Sequence, residues 1–201
     1  MKRGFRIPTL GGATALVLHR PHANVAAIAR QLRAIGINPV ECWPDLPADA
    51  LAADFLFFDA DLGHDEQFSW QPGEAPMPLI ALIGSEAPGR IEWALNHNAD
   101  AHLLKPVGNA GVYSAMLIAR RAFDARKRQA REIVELRERI AARQTIVRAV
   151  AILAESTADD EQAYAQLRML AMNWQVSMED AARRVVAGPT GGGQGERTGI
   201  A

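Results

Sequence analysis

The chain has 201 residues, of which 49% are hydrophobic, so it is long and apolar enough to bury a core. Its formal net charge of -1 gives no overall attraction to nucleic acid or to a membrane surface. One cysteine excludes an internal disulfide. Because no apolar run is long enough to span a membrane and no signal-peptide pattern is found, we predict a cytoplasmic protein without a membrane partner.

Short apolar runs alternate with helix signals in the first half of the chain. We predict strands at 13–19, 38–43, 54–58, 78–84 and 101–105, and helices at 25–35 and 90–98. This alternation predicts an α/β fold with a doubly wound, parallel five-stranded sheet covered by helices on both faces. We expect Asn24 to cap the first of these helices.

Positive charge is concentrated in the middle of the chain. Residues 1–119 carry 8 Lys/Arg against 12 Asp/Glu, whereas residues 120–148 carry 10 against 4. No Pro or Gly occurs from 112 to 156, which predicts one helix longer than about 25 residues, as in a coiled coil. Arg126, Gln129 and Arg143 interrupt its heptad pattern, and the alternative is a surface helix with a narrow apolar face. The predicted dimer seam consists of Ile133, Leu136, Ile140 and Val147.

The C-terminal part reads as two shorter helices. Thr157 or Asp159 can cap a helix through "DEQAYAQLRMLAMNW", and Ser177 can cap another through "MEDAARRVV". With the end of the long helix they predict a small three-helix domain. The Gly-rich tail at 188–201 is expected to be disordered.

Charged and polar residues fall at the carboxyl ends of the predicted strands, where sites lie in such folds. Asp59 and Lys105 suit the acceptor and the cation of a phosphoryl-transfer site. His19 and Arg20 stand where a carboxylate pair for a magnesium ion would be needed, and they would repel it. We therefore interpret Asp59 as a carboxylate paired with Lys105, and we predict no metal site.

The block at 13–119 resembles the response-regulator receiver domain, through "DFLFFDA" and "NADAHLLKPV". The resemblance implies a flavodoxin-like fold, with Asp59 at the phosphoacceptor position, Lys105 as the receiver lysine and a cis bond before Pro106. The acidic pair of the family is absent, so we expect a degenerate receiver that has lost phosphoryl chemistry. A working phosphosite at Asp59 is the alternative.

Residues 136–186 resemble the ANTAR domain, the RNA-binding module of transcription antiterminators. The similarity is carried by Arg143, Ile146, Ala149 and Leu153, by "DEQAYAQLRMLAM" and by Ala181. Val150 and Ala151 stand where the family has lysine and glycine. The order of a degenerate receiver, a coiled coil and an ANTAR domain is similar to that of the AmiR-like antitermination regulators.

The division that follows is an N-terminal tail (1–12), a receiver (13–119), a coiled coil (120–145), an ANTAR domain (146–187) and a C-terminal tail. The resemblance implies a homodimer that binds leader-mRNA stem-loops and stabilises an antiterminator. Control would come from a partner, such as a small-molecule-sensing protein, and not from phosphorylation. The candidate RNA-binding residues are Arg139, Arg143, Arg148, Arg168, Asn173 and Arg183.

Other residue types carry no chemical motif. The histidines lack metal-ligand spacing, and the tryptophans, Trp174 included, are interpreted as packing residues. We therefore predict neither catalytic residues nor a cofactor, and no enzymatic activity. A further alternative is a protein-interaction dimer that does not bind RNA.

Overall fold

A computed structural model of the chain describes residues 10–157 and 159–188, except for the side chain at 157. The chain divides into two compact units, 1–128 and 129–201, which we describe separately. The predicted tail at 188–201 lies outside the described residues apart from Gly188, as does most of the tail at 1–12.

The first unit contains the predicted parallel sheet. Its strands are β1 (Thr14–Leu18), β2 (Asn38–Cys42), β3 (Phe55–Asp59), β4 (Leu79–Ile83) and β5 (Ala101–Leu104). They are all parallel, in the order β2-β1-β3-β4-β5. This is the flavodoxin-like order, and β3 and β4 are buried at every position because helices or loops cover both faces.

Three helices belong to this unit in whole or in part. They are α1 (Ala23–Ala34), α2 (Pro88–Asn96) and α3 (Val112–Thr157), a continuous helix of 46 residues that extends into the second unit. The connections before and after β3 contain only single 3-10 turns, at Ala50–Ala52 and Asp65–Gln67.

The N-cap of α1 is not the residue that the sequence indicated. The His22 side chain caps the helix by accepting a hydrogen bond from the Asn24 N–H at 3.2 Å. Asn24 is instead buried inside the helix, and its Oδ1 accepts a hydrogen bond from the Val107 N–H at 3.0 Å. The prediction that Asn24 caps α1 is therefore wrong, and this side chain ties α1 to the loop after β5. The Lys105–Pro106 bond in that loop is cis, as the resemblance implied.

The two faces of the sheet are covered differently. Ile28 and Leu32 of α1 and Met116 of α3 pack on one face in a cluster that is aliphatic apart from Phe55 and Phe57 of β3. On the other face, where a 3-10 turn follows β3, Phe68 stacks on Trp70 and on Trp93, with ring centroids 5.5 and 6.0 Å apart. Large rings, among them Trp93 of α2, therefore cover much of this face.

The second unit is a small helical domain. The last turns of α3 pack with α4 (Asp160–Asn173) and α5 (Met178–Ala187) around a core of small aliphatic side chains. Asp159 caps α4 by accepting a hydrogen bond from the Glu161 N–H, and Ser177 caps α5 by accepting one from the Asp180 N–H. The helix starts at Asp159 and Ser177 are therefore confirmed. The buried core residues are Ala149, Leu167, Ala171, Ala181 and Ala182.

Candidate functional site

The carboxyl ends of β3 and β5 bring the predicted pair together. Asp59 is the last residue of β3, and Lys105 directly follows β5. Lys105 Nζ lies 2.7 Å from Asp59 Oδ1, and the Asp59 side chain is only 2% exposed. Lys105 therefore neutralises a buried carboxylate, as the sequence predicted.

Asp61 is a second acceptor at this edge, and the sequence did not assign it a role. Its carboxylate accepts hydrogen bonds from the N–H groups of Gly84 and Ser85, each at 2.9 Å, and lies 2.5 Å from Lys105 Nζ. Burial raises the pKa of Asp61, but hydrogen bonds from Lys105 and from these N–H groups outweigh it, so the pKa lies below the usual value. A cation and two backbone donors thus form an anion-binding position, which Asp61 occupies.

Glycine at position 84 makes this arrangement possible. A Cβ atom there would lie 2.6 Å from Asp61 Oδ2 and 3.0 Å from Lys105 Cε, closer than packed carbon atoms come. One feature of the sequence could have indicated this contact: Asp61 stands two residues after β3, and Gly84 directly follows β4, the neighbouring strand.

His19 completes the contacts of Asp59. Its Nδ1 lies 2.6 Å from the Arg20 carbonyl oxygen, which only accepts, so Nδ1 carries a hydrogen. Its Nε2 lies 3.4 Å from Asp59 Oδ2, and both side chains are buried. Asp59 Oδ1 also accepts a hydrogen bond from the Asp61 N–H at 3.0 Å. In the described residues, no group of three or more His, Cys, Asp or Glu side chains could hold a metal ion.

The candidate RNA-binding residues lie in the second unit, and all of them are exposed. Arg139 and Arg183 line a groove together with Glu135, Glu138 and Glu179, and Arg183 forms an ion pair with Asp180. Three carboxylates against two guanidinium groups make this groove a poor site for phosphate. Arg143 and Arg148 lie elsewhere on the exposed surface of α3.

Arg168 and Asn173 have a more favourable setting on α4. Residues 162–175 contain no Asp or Glu, so no carboxylate of this stretch competes for the Arg168 guanidinium. The interpretation of Trp174 as a packing residue is wrong, because Trp174 lies outside the buried core of the unit. Arg184 lies over its ring.

The predicted dimer seam lies along an exposed part of α3. Its four apolar residues are three, four and seven positions apart, which places them on one face of the helix. Arg126 is not part of this seam, because it forms a two-contact ion pair with buried Asp100. The exposed seam residues are Ile133, Leu136, Ile140 and Val147.

No helix in the described part of the chain is both long and apolar enough to cross a membrane.

Two family models match the chain. The model described as "AmiR, N-terminal" covers residues 13–120, and the ANTAR domain model covers residues 134–186.

Individual proteins are also similar to this chain. The aliphatic amidase regulator of Pseudomonas aeruginosa is 27% identical over 152 residues, 73% of this chain and 76% of its own length. The solved ShkA Rec1 domain in complex with c-di-GMP is 26% identical, with a TM-score of 0.43, and covers 55% of this chain and 95% of its own. The receiver domain of a modulated diguanylate cyclase from Desulfovibrio desulfuricans G20 is 18% identical, with a TM-score of 0.43, over 53% of this chain and 91% of its own.

The named families and the curated relative are regulators and not enzymes. Since the AmiR N-terminal model spans more than half of the residues and an ANTAR match follows it, the chain belongs to the AmiR-like antitermination regulators.

Proposed function

We propose that this protein is a homodimeric, cytoplasmic regulator that binds stem-loops in a leader mRNA and stabilises an antiterminator. The observation that supports it best is the exposed surface of α4, where Arg168 and Asn173 lie in a stretch without carboxylates. RNA hairpins are bound through phosphates and through unpaired loop bases, which require guanidinium and amide groups. Arg143 and Arg148 of α3 would add phosphate contacts.

We assign the parts of this function to successive segments. Residues 13–119 form the degenerate receiver, 120–145 the coiled coil and 146–187 the RNA-binding domain. In the dimer, the seam of α3 would pair with its copy in the second chain, and two-fold symmetry would present two equivalent RNA surfaces.

Control by a partner protein fits the receiver-like unit better than control by phosphorylation. Asp59 already contacts Lys105 and the Asp61 N–H, and Asp61 fills the anion position that Lys105 and the N–H groups of Gly84 and Ser85 provide. A phosphoryl group on Asp59 would have to displace Asp61 from all three donors. A small-molecule-sensing protein that sequesters the chain until its ligand binds is the control we propose.

RNA binding is tested by electrophoretic shift with hairpin leader RNA at 50 and 200 mM salt. We expect binding that weakens steeply with salt, because phosphate contacts release counterions. Arg168→Ala should weaken binding and reduce the slope of log affinity against log salt by about one. Arg33→Ala, on the exposed surface of α1, is the matched control and should change neither value. If the intact protein binds no hairpin even at low salt, the alternative of a pure protein-interaction dimer replaces this proposal.

Phosphorylation is tested separately with acetyl phosphate, magnesium and intact-mass measurement. We expect no phosphoryl adduct on the intact protein. An adduct that disappears in Asp59→Asn would establish the rival mechanism of a phosphorylation-controlled regulator.

A further inference from the structure

The helical unit exposes its aromatic side chains. Residues 129–201 contain two aromatic residues, Tyr164 and Trp174, which are 51% and 39% exposed. The core of this unit consists of Ala, Leu and other aliphatic side chains. In the first unit the phenylalanines of the described residues are buried, whereas Trp43 and Tyr113 are 38% and 43% exposed. Trp174 therefore presents part of a flat aromatic ring to solvent.

Backbone geometry fixes the position of Trp174. It is the C-cap of α4, and its N–H donates to the Leu170 carbonyl at 2.9 Å. The next residue, Gln175, has a φ of +54°, and the Val176 N–H donates to the Ala171 carbonyl at 3.1 Å. The chain therefore turns sharply here, and the indole ring is held at the corner between α4 and α5.

Arg184 of α5 lies against this ring. Its guanidinium carbon is 5.4 Å from the ring centroid, within the range of a cation–π contact. Arg183, the neighbouring residue, is instead engaged by Asp180. Arg184 therefore supplies positive charge over one face of the exposed ring.

The surroundings match the chemistry of a nucleobase. An unpaired base needs a flat apolar surface for stacking, a polar group for its edge and a cation for its phosphate. Trp174 offers the flat surface and Arg184, which contacts the ring, offers the cation. Asn173, the preceding residue, is exposed and carries a polar amide. Met169 and Met172 are also exposed on α4.

We propose that Trp174 and Arg184 form a stacking site for one unpaired base of an RNA hairpin loop. This inference rests on the proposed function, because it names the part of the RNA that the helical unit recognises. The site contributes affinity through stacking, and the arginines on the exposed surfaces contribute through phosphates. The two contributions differ in their dependence on salt, since stacking releases no counterions.

The probe is a set of hairpin RNAs selected on the full-length protein from a library with randomised loops. Trp174→Ala should weaken binding on the order of ten-fold, because a stacked base is worth about 1–3 kcal/mol. Its salt slope should equal that of the unchanged protein, whereas Arg168→Ala should lower the slope. Tyr113→Ala, an exposed ring in the first turn of α3, is the control and should bind as before.

A second readout locates the base. 2-Aminopurine is placed at each loop position of the selected hairpin in turn, and stacking on the indole should quench its fluorescence at one position. That quenching should disappear in Trp174→Leu, which keeps the apolar bulk but lacks the ring, so this variant decides the matter if the alanine variant is unstable.

Two outcomes separate the two proposals. If the intact protein binds the hairpins but a folded Trp174→Leu variant binds equally well with the same quenching, the stacking site is wrong and RNA binding stands. If the intact protein selects no hairpin at low salt, the proposed function itself fails.

Discussion

Gly84 lies so close to the Asp61 carboxylate that no larger residue fits at this position. In Gly84→Ala, the new Cβ would clash with Asp61 Oδ2 and crowd Lys105, so the carboxylate must leave its two N–H donors. We expect a loss of about 1–3 kcal/mol in the free energy of unfolding, measured by urea denaturation.

Gly89 provides the control for this substitution. It lies in α2, and a Cβ there would meet nothing within 4 Å. Gly89→Ala should leave stability unchanged or raise it by up to about 1 kcal/mol, because alanine favours a helix. Equal losses at both positions would mean that Asp61 does not depend on the space at Gly84.

Asp61 should also make the free energy of unfolding depend on pH. Its pKa is lowered in the folded state, so its stabilisation is present above the unfolded value of about 3.9 and is lost as pH falls through the folded value. The stability difference between the unchanged protein and Asp61→Asn should therefore be largest near neutral pH and shrink below about pH 4. Denaturation across this range measures it, and a difference that does not vary with pH would contradict the assignment.

Among single residues, the sequence predicted the pairing of Asp59 with Lys105, because parallel strands place the residues at their carboxyl ends along one edge of the sheet. It could not predict Asp61, whose direction two residues past a strand depends on loop geometry and on the space at Gly84. It also could not predict the exposure of Trp174, because a turn and not helical periodicity sets its direction.

Among the elements, α3 is joined at Arg126 to the residue that precedes β5 by a contact that the sequence did not indicate. The side chain of Asp100, just before β5, is buried, and burial raises its pKa although the Arg126 guanidinium and the Leu79 N–H act in the opposite direction. In the heptad pattern Arg126 was a polar interruption of a seam. Its actual role is to neutralise a carboxylate inside the first unit.

Removing this arginine should be costly. Arg126→Ala leaves a buried carboxylate without its ion pair, and we expect a loss of about 3–5 kcal/mol in the free energy of unfolding at neutral pH. The deficit should become smaller as pH falls, because protonation of Asp100 removes the buried charge. Arg128→Ala, an exposed neighbour two residues later, is the control and should change stability little. A deficit as small as that of the control would rule out this role.

Strand positions were predicted to within one or two residues, because each strand is a short apolar run flanked by polar or turn-forming residues. The 3-10 turns around β3 were not predicted. Phe68, Trp70 and Trp93 cover that face of the sheet, and stacking between rings distant in sequence is not a local signal.

For the whole molecule, the largest open prediction is assembly through α3. Ile140→Asp places a charge in the middle of the seam, and we expect it to convert a dimer into a monomer. Sedimentation velocity measures the change. Ile152→Asp, exposed on the same helix but outside the seam, should remain dimeric. A monomeric unchanged protein, or equal effects of both substitutions, would exclude this seam.

The unbroken course of α3 has a consequence for proteolysis. Residues 120–148 hold ten Lys and Arg, each a cleavage site for trypsin, yet all of them lie within one continuous helix. A protease requires its substrate in an extended form, so cutting there has to await local opening. The rate of tryptic nicking in this segment therefore reports how firmly the helix is held, and any partner that clamps it should lengthen the lifetime of the intact chain.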